Sequence, residues 1–312
     1  MTLLSIGLPV YNEENHIYES VSSILKQTFK DFELIIIDNN STDNTYEILK
    51  SFQVKDSRIK LFKNIDNFGS DKNFNDTFFK AKSKYFMWAG SHDLIEPNYL
   101  ETIFNFINSL HTPPDLTFTS ISHIDEDGKI ILNYKEVGYE FNTKNLLSYL
   151  MLPWRIKGSG DMVYGVFKRE SISQTRIFSK VFYPDVLLMY EMCMIGKTFR
   201  INQPLRKRRI FFDEEISQAD NWKDTYKIKT SRFRKKGLKV TNVRWYSYLP
   251  TQVMFFQIIY SIGVKDNLFN IIRLFYSIYF ALVYLYKHKI AFLIDLKSFI
   301  EVVLIKKFFN FR

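Results

Sequence analysis

The chain has 312 residues, enough for one large domain or two small ones, and its 43 Lys and Arg against 33 Asp and Glu give a formal charge of +10. Hydrophobic residues make up 46% and charged residues 24%, which excludes intrinsic disorder, collagen-like repeats and coiled-coil rods. Because Cys193 is the single cysteine, a disulfide scaffold is also excluded, and a reducing compartment is favoured.

The first hundred residues alternate two hydrophobic periods. Strand-length apolar runs occur at residues 3–10, 33–37, 58–62 and 84–89, and segments of helical period at 14–27, 44–52, 70–82 and 97–109. This alternation is typical of βαβ units, so the sequence predicts an α/β fold with a Rossmann-like, doubly wound, mostly parallel sheet. The first run has no basic segment before it, so we expect no cleaved signal peptide.

Three polar loops directly follow predicted strands, at residues 9–14, 38–45 and 90–93. Ligands of such sheets bind beyond the carboxyl ends of the strands, so these loops form the candidate site. They lack both the dinucleotide fingerprint and the phosphate loop ending in G-K-[ST], which excludes a classical dehydrogenase and a P-loop NTPase. Asp38 could accept a hydrogen bond from a pyrimidine imide or a ribose hydroxyl. The alternative is that its loop only caps a helix.

The middle of the chain contains a hairpin signal and one more helix. The acidic turn at residues 125–128 ends in a glycine between two strand-like runs, which predicts a hairpin. Residues 183–196 indicate a helix with Pro184 in its first turn and Gly196 at its end. The basic run RKRR at residues 206–209 is either a solvated surface or part of a lid.

The last hundred residues are basic and rich in aromatic side chains. Arg273 and Lys287 enclose thirteen uncharged residues, fewer than the roughly 20 that a spanning helix needs. We therefore predict amphipathic helices that lie in the membrane interface, with a packed helical subdomain or an interface between copies of the chain as alternatives. No nucleic-acid-binding motif accompanies the basic charge, so we expect no nucleic acid partner.

Five stretches stand in order along the first hundred residues: SIGLPVYNEE at residues 5–14, residues 22–28, LIIIDNNSTD at 34–43, residues 67–73 and DLIEP at 93–97. Together they resemble family 2 of the nucleotide-diphospho-sugar glycosyltransferases, an inverting group with the GT-A fold. The resemblance implies that a nucleotide sugar is bound by nine residues: Pro9, Tyr11, Asn12, Glu13, Asp38, Asn40, Lys72, Ser91 and His92. It also implies that Asp185, at the start of its helix, is the catalytic base, with Asp161 in reserve. Lys72 could instead be a solvated helix lysine, and Asp185 could only complement the helix dipole.

The family's aspartate-rich motif is degenerate in this chain. Its D-x-D pattern falls either on residues 90–92 or on 91–93 of the stretch GSHD, and in both frames the first aspartate is missing. The resemblance implies a divalent cation, Mn²⁺ or Mg²⁺, with Asp93 and His92 as its ligands. A metal-independent enzyme and a loop histidine without a metal role stay open.

The sequence thus predicts an inverting glycosyltransferase at the cytoplasmic face of the cell membrane, peripherally bound. It would use a nucleoside-diphosphate sugar, UDP-linked by expectation, and a glycan or lipid-linked acceptor in bacterial surface polysaccharide synthesis. We expect a catalytic domain at residues 1–215, with a nucleotide-sugar half at 1–110 and an acceptor half at 111–215, followed by a helical region at 216–312. The alternatives are a catalytically weakened binding protein of the same fold and a membrane-scaffolding module.

Overall fold

The computed structural model describes residues 2–132, 161–181, 183–211, 228–229, 252–256, 258 and 271–299. The chain divides into two compact units. The first comprises Met1–Phe178 and Glu191–Phe211, and the second comprises Ser179–Tyr190 and Phe212–Arg312. The predicted boundary at residues 215–216 lies outside the described residues, as does the side chain of Cys193, so the predicted domain limits stay predictions.

A nine-stranded sheet forms the centre of the first unit. Its strands are β1 (Leu4–Val10), β2 (Phe32–Asp38), β3 (Ile59–Lys63), β4 (Tyr85–Trp88), β5 (Leu94–Ile95), β6 (Leu116–Ile124), β7 (Ile130–Ile131), β8 (Val166–Lys168) and β9 (Thr198–Arg209). Their order in space is β3-β2-β1-β4-β8-β6-β9-β5, and β7 pairs with β6. The first four pair in parallel, as predicted for a doubly wound sheet, and β8 is the antiparallel strand between β4 and β6.

The predicted helices occur close to their predicted limits. The described helices of eight or more residues are α1 (Ile17–Leu25), α2 (Thr45–Lys55), α3 (Ser70–Lys80), α4 (Tyr99–Asn108), α6 (Pro184–Ile195), α7 (Ile271–Lys287) and α8 (Lys289–Phe299), and a short helix α5 covers Arg169–Ile172. The acidic turn is also confirmed: it joins β6 to β7, and Gly128 has a φ of 85°, where glycine is favoured.

Every residue of β1 and β2 is buried, because helices cover both faces of this part of the sheet. One face of α1 packs on the core through Ile17, Val21 and Ile24. This packed hydrophobic core fixes the positions of the strand ends from which the polar loops project.

The order of strands places a topological switch between β1 and β4. The chain winds outward from β1 to β2 and β3, and then returns to β4 on the other side of β1. Loops that leave the carboxyl ends of strands on either side of such a switch diverge and create a crevice. The predicted polar loops after β1, β2 and β4 leave this edge.

In the second unit, α7 and α8 follow one another with a sharp bend. Among the described residues no single helix has the length and apolar character to cross a membrane. The segments Ser277–Lys287 and Lys289–Lys297 together have that length and composition, but the axes of the two segments are bent by 76°. The predicted helical character of this region is confirmed for these two elements.

Candidate nucleotide-sugar site

The loops after β1 and β2 are joined by hydrogen bonds. The side-chain oxygen of Asn12 accepts from the Thr42 amide at 2.8 Å, and the Glu13 amide donates to the Thr45 hydroxyl at 2.8 Å. Asn12 and Asn40 have φ values of 53° and 64°, a region that asparagine tolerates better than most residues. The two predicted binding loops are therefore held together by their own hydrogen bonds.

Asp38, the last residue of β2, is fully buried. Its carboxylate accepts from the amide of Ser41 at 3.1 Å and from the hydroxyl of the same serine. Asp38 thus shapes its own loop but does not cap α2, which begins at Thr45 and whose N-cap residue, Asn44, makes no side-chain capping hydrogen bond. Its contact with a nucleotide stays a prediction.

His92 lies against the first loop. Its Nδ1 is 3.0 Å from Oε1 of Glu13, and its ring meets the edge of Phe211 at a centroid distance of 5.0 Å. Burial alone would lower the pKa of His92, but the hydrogen bond to Glu13 and the negative charge of Asp93 raise it above its ordinary value. The predicted residues Glu13 and His92 are therefore in direct contact across the switch point.

Asp93 points inward, into a buried ion cluster. Its Oδ2 accepts from Nη2 of Arg206 at 2.5 Å, and its Oδ1 accepts from the amide of Arg209 at 2.9 Å. The other side of the Arg206 guanidinium donates to Oδ1 of Asp161 at 2.7 Å, and its face covers the ring of Tyr164 at 4.2 Å. Burial would raise the pKa of Asp93, but the charge of Arg206 holds it below its usual range.

Sequence reasoning missed this cluster. The run RKRR was interpreted as solvated or as a lid, whereas it forms the end of β9, with Arg206 and Arg209 both 3% exposed. Asp161, the reserve candidate for the base, is bound to Arg206 and is 6% exposed. No local pattern indicates these pairs, because the carboxylate partners that a buried arginine requires lie 45 and 113 residues away from Arg206 along the chain.

The arrangement does not fit the expected metal ion. Both oxygens of Asp93 are engaged by arginines, and Nδ1 of His92 is engaged by Glu13. Across the part of the chain that the structure describes, no three side chains among His, Cys, Asp and Glu form a group able to hold a cation. A Cβ atom at Gly90, where one frame of the motif places its first aspartate, would lie 2.5 Å from Oδ2 of Asp93.

The remaining predicted residues differ in their surroundings. Pro9 is buried in β1 and Ser91 is buried in its loop, whereas Tyr11 is 43% exposed. The ammonium group of Lys72 pairs with Asp76 one turn along α3 at 2.5 Å and lies 5.3 Å from the centre of the Phe68 ring. This is the environment of a partly solvated helix lysine, and its role toward the donor stays a prediction.

Asp185 belongs to the second unit, in the first turn of α6. Burial, followed by the charges of Asp185 and Asp295, raises the pKa of Tyr183 to about 12. The predicted helix with its acidic first turn is confirmed, and the role of Asp185 as a base stays a prediction.

A protein-family model described as glycosyl transferase family 2 matches residues 5–164 of the chain. Glycosyltransferase GlyG of Streptococcus pneumoniae is 33% identical over 259 residues, which cover 78% of this chain and 84% of that protein. The GalNAc(5)-diNAcBac-PP-undecaprenol beta-1,3-glucosyltransferase of Campylobacter jejuni is 26% identical over 73% of this chain and 71% of its own length.

Other matches are partial or structural. An uncharacterized glycosyltransferase of Methanocaldococcus jannaschii is 36% identical, but the chain spans only about half of it, 48%. The crystal structure of S. aureus TarS 1-349 in complex with UDP-GlcNAc has a TM-score of 0.57 at 16% identity, covering 93% of this chain and 92% of that one. This structural likeness supports the GT-A fold and, at such low identity, only the fold.

Proposed function

This chain belongs to glycosyl transferase family 2, and from that premise we propose that it transfers one sugar from a UDP-sugar to a hydroxyl of a lipid-linked glycan, with inversion. The observation that carries the proposal is the pair of interlocked loops after β1 and β2, fixed beside His92 at the topological switch point. A rigid polar crevice at this edge suits a nucleotide, because little conformational entropy is lost on binding.

The choice of substrates rests on the relatives. The TarS fragment was crystallised with UDP-GlcNAc, and the Campylobacter relative carries an undecaprenol diphosphate acceptor in its name. A UDP-sugar donor and a lipid-linked acceptor in surface polysaccharide synthesis are therefore our proposal for this chain. The sugar itself depends on the shape of the pocket, which no motif encodes.

In the proposed mechanism Asp185 acts as general base. Its carboxylate takes the proton of the acceptor hydroxyl while the oxygen attacks the anomeric carbon from the face opposite the nucleotide. The bond between that carbon and the phosphate oxygen breaks, and its electron pair leaves with the diphosphate. Positive side chains beside the diphosphate stabilise the charge that develops there.

Transfer is tested by incubating the purified protein with single UDP-sugars and a lipid-linked oligosaccharide fraction. Released UDP measures the turnover, and the proton coupling constant of the product's anomeric centre reports its configuration. A product of opposite configuration supports the proposal, whereas retention refutes the mechanism.

A second candidate is a nucleotide-sugar or glycan-binding protein without turnover. The absent first aspartate of the D-x-D motif, with Gly90 or Ser91 in its place, is the observation that favours it. Saturable UDP binding without UDP release from any donor and acceptor pair would select this candidate.

We further propose that the enzyme is peripherally bound at the cytoplasmic face of the membrane. One stripe of α7 exposes apolar side chains at helical spacing: Phe275, Ile278, Leu282 and Tyr286. On α8, Ile290, Leu293 and Leu296 are exposed next to the exposed Lys289 and Lys297. A contiguous apolar stripe with lysines beside it suits an anionic lipid surface, where the lysines meet the headgroups.

Flotation with vesicles of phosphatidylglycerol and phosphatidylcholine tests this localisation. We expect Leu282→Glu to reduce binding to the anionic vesicles, while Ile65→Glu, at a side chain 92% exposed in the first unit, leaves it unchanged. Unchanged binding by Leu282→Glu would contradict the proposal. A loss of oligomer mass in the same variant, without loss of vesicle binding, would assign the stripe to contacts between copies of the chain.

A further inference from the structure

The basic end of β9 lies at the ligand-binding edge of the sheet. β9 runs parallel to β6, β8 is antiparallel to both β6 and β4, and β4 is parallel to β1. The carboxyl end of β9 therefore points the same way as those of β1 and β4. RKRR occupies this end, and the guanidinium of Arg209 donates to the carbonyl of His92 at 3.0 Å, joining the strand to the loop after β4.

The inward position of Asp93 requires a glycine at residue 90. Any side chain at residue 90 would begin with a Cβ atom 2.5 Å from Oδ2 and 2.9 Å from Cγ of Asp93, closer than real contacts allow. An aspartate there would displace Asp93 from Arg206. In the frame that places the first aspartate of the motif at residue 90, its replacement by glycine makes room for the ion pair between Asp93 and Arg206.

The charges around Asp93 leave no surplus of negative charge for a dication. Asp93 and Asp161 face Arg206, and the guanidinium of Arg208 lies 3.6 Å from Oδ2 of Asp161. Arg209 adds a third guanidinium, which pairs with the exposed Glu19 at 3.0 Å. A site for Mg²⁺ or Mn²⁺ needs carboxylates in excess over cations, whereas three guanidiniums balance three carboxylates in this cluster.

Of the four residues of the RKRR run, Arg208 is best placed to contact an anionic ligand. Its side chain is 45% exposed, and its distance to Asp161 exceeds that of a direct hydrogen bond. Residues alternate along a strand, so Arg208 lies on the same face as Arg206, whereas Lys207 lies on the opposite face and pairs with Glu96 at 2.8 Å. A guanidinium can bind two phosphate oxygens in parallel, which suits a diphosphate.

From this arrangement we infer that the chain binds the diphosphate of its donor without a divalent cation, with Arg208 as the cationic side chain that contacts it. The inference rests on the proposed function, since it assumes a nucleoside-diphosphate donor. In this arrangement the positive charge of Arg208, at the end of β9, takes the place of the metal ion expected from the family.

Calorimetric titration with UDP tests the inference. We expect the same dissociation constant, within a factor of about two, in EDTA, Mn²⁺ and Mg²⁺. Arg208→Ala should weaken UDP binding about tenfold or more, the effect of losing one charged hydrogen bond, and Arg208→Lys should restore part of it. The matched control, Lys207→Ala, should bind UDP as the wild type does, and the melting temperature of each variant reports whether it is folded.

The outcomes separate the two claims. UDP binding that disappears in EDTA and returns with Mn²⁺ would overturn the inference and leave the proposed function intact, as would a folded Arg208→Ala protein with unchanged affinity. Absence of UDP binding under every condition would overturn the proposed UDP-dependent function and, with it, the inference.

Discussion

Substitution of Gly90 by alanine tests the ion cluster at the end of β4. The added Cβ atom would lie 2.5 Å from Oδ2 of Asp93, so the carboxylate must leave Arg206 and the amide of Arg209. Breaking a buried ion pair by removal of one partner costs about 3–5 kcal/mol. Because Arg206 keeps Asp161, we expect Gly90→Ala to lower the free energy of unfolding by about 2–3 kcal/mol.

A double-mutant cycle isolates the cause. Asp93→Ala removes the two atoms nearest to the new methyl group, so Gly90→Ala should cost little in that background, and the two effects should fall short of additivity by about 2 kcal/mol. Equilibrium urea unfolding followed by tryptophan fluorescence measures the four proteins. Glu96→Gln, in a half-exposed pair with Lys207, serves as control and should change stability by less than about 1 kcal/mol. Additive effects, or a neutral Gly90→Ala, would refute the coupling between Gly90 and Asp93.

Three further variants extend the account. Asp185→Asn should lower the transfer rate by a factor of about 10² to 10⁴ while UDP binding is kept, and an unchanged rate would exclude Asp185 as the base. Gly165→Ala should destabilise the protein by about 1–3 kcal/mol in urea unfolding, because its Cβ would lie 2.8 Å from the carbonyl oxygen of Thr117. Burial, aided by Lys287, lowers the pKa of His288 to about 4 from 6.5, so the contribution of this group to stability should be full above pH 6.5 and be lost as the pH drops toward 4. In the variant His288→Gln the melting temperature should fall less between pH 6.5 and pH 4 than it does in the wild type. The same dependence of melting temperature on pH in both proteins would contradict this role of His288.

The first four strands and the helices that follow them could be predicted because each strand and helix has its own hydrophobic period. The run at 33–37 became β2 (Phe32–Asp38), and residues 70–82 became α3 (Ser70–Lys80). The candidate loops followed from the same argument, since the carboxyl ends of parallel strands are the ligand edge. The contact of Glu13 with His92 joins two loops that are 79 residues apart, and neither loop's sequence alone predicts it.

The pairings of the buried cluster could not be predicted. Asp93 and Arg206 are separated by 113 residues, and a contact across such a distance leaves no local pattern in the sequence. A run of four cations also resembles a solvated surface, because arginine is rarely buried unless it is paired. The burial of Arg206 at the end of β9 is therefore understood only from its ion pairs with Asp93 and Asp161.

The proposed function is that the polar crevice beyond β1, β2 and β4 transfers a sugar to a lipid-linked acceptor. Its most direct test is the mass of a lipid-linked acceptor after incubation with the protein and each UDP-sugar in turn. We predict a gain of one sugar residue from one donor, absent when the donor is omitted. An unchanged acceptor mass with every donor, from a protein that binds UDP, would contradict it.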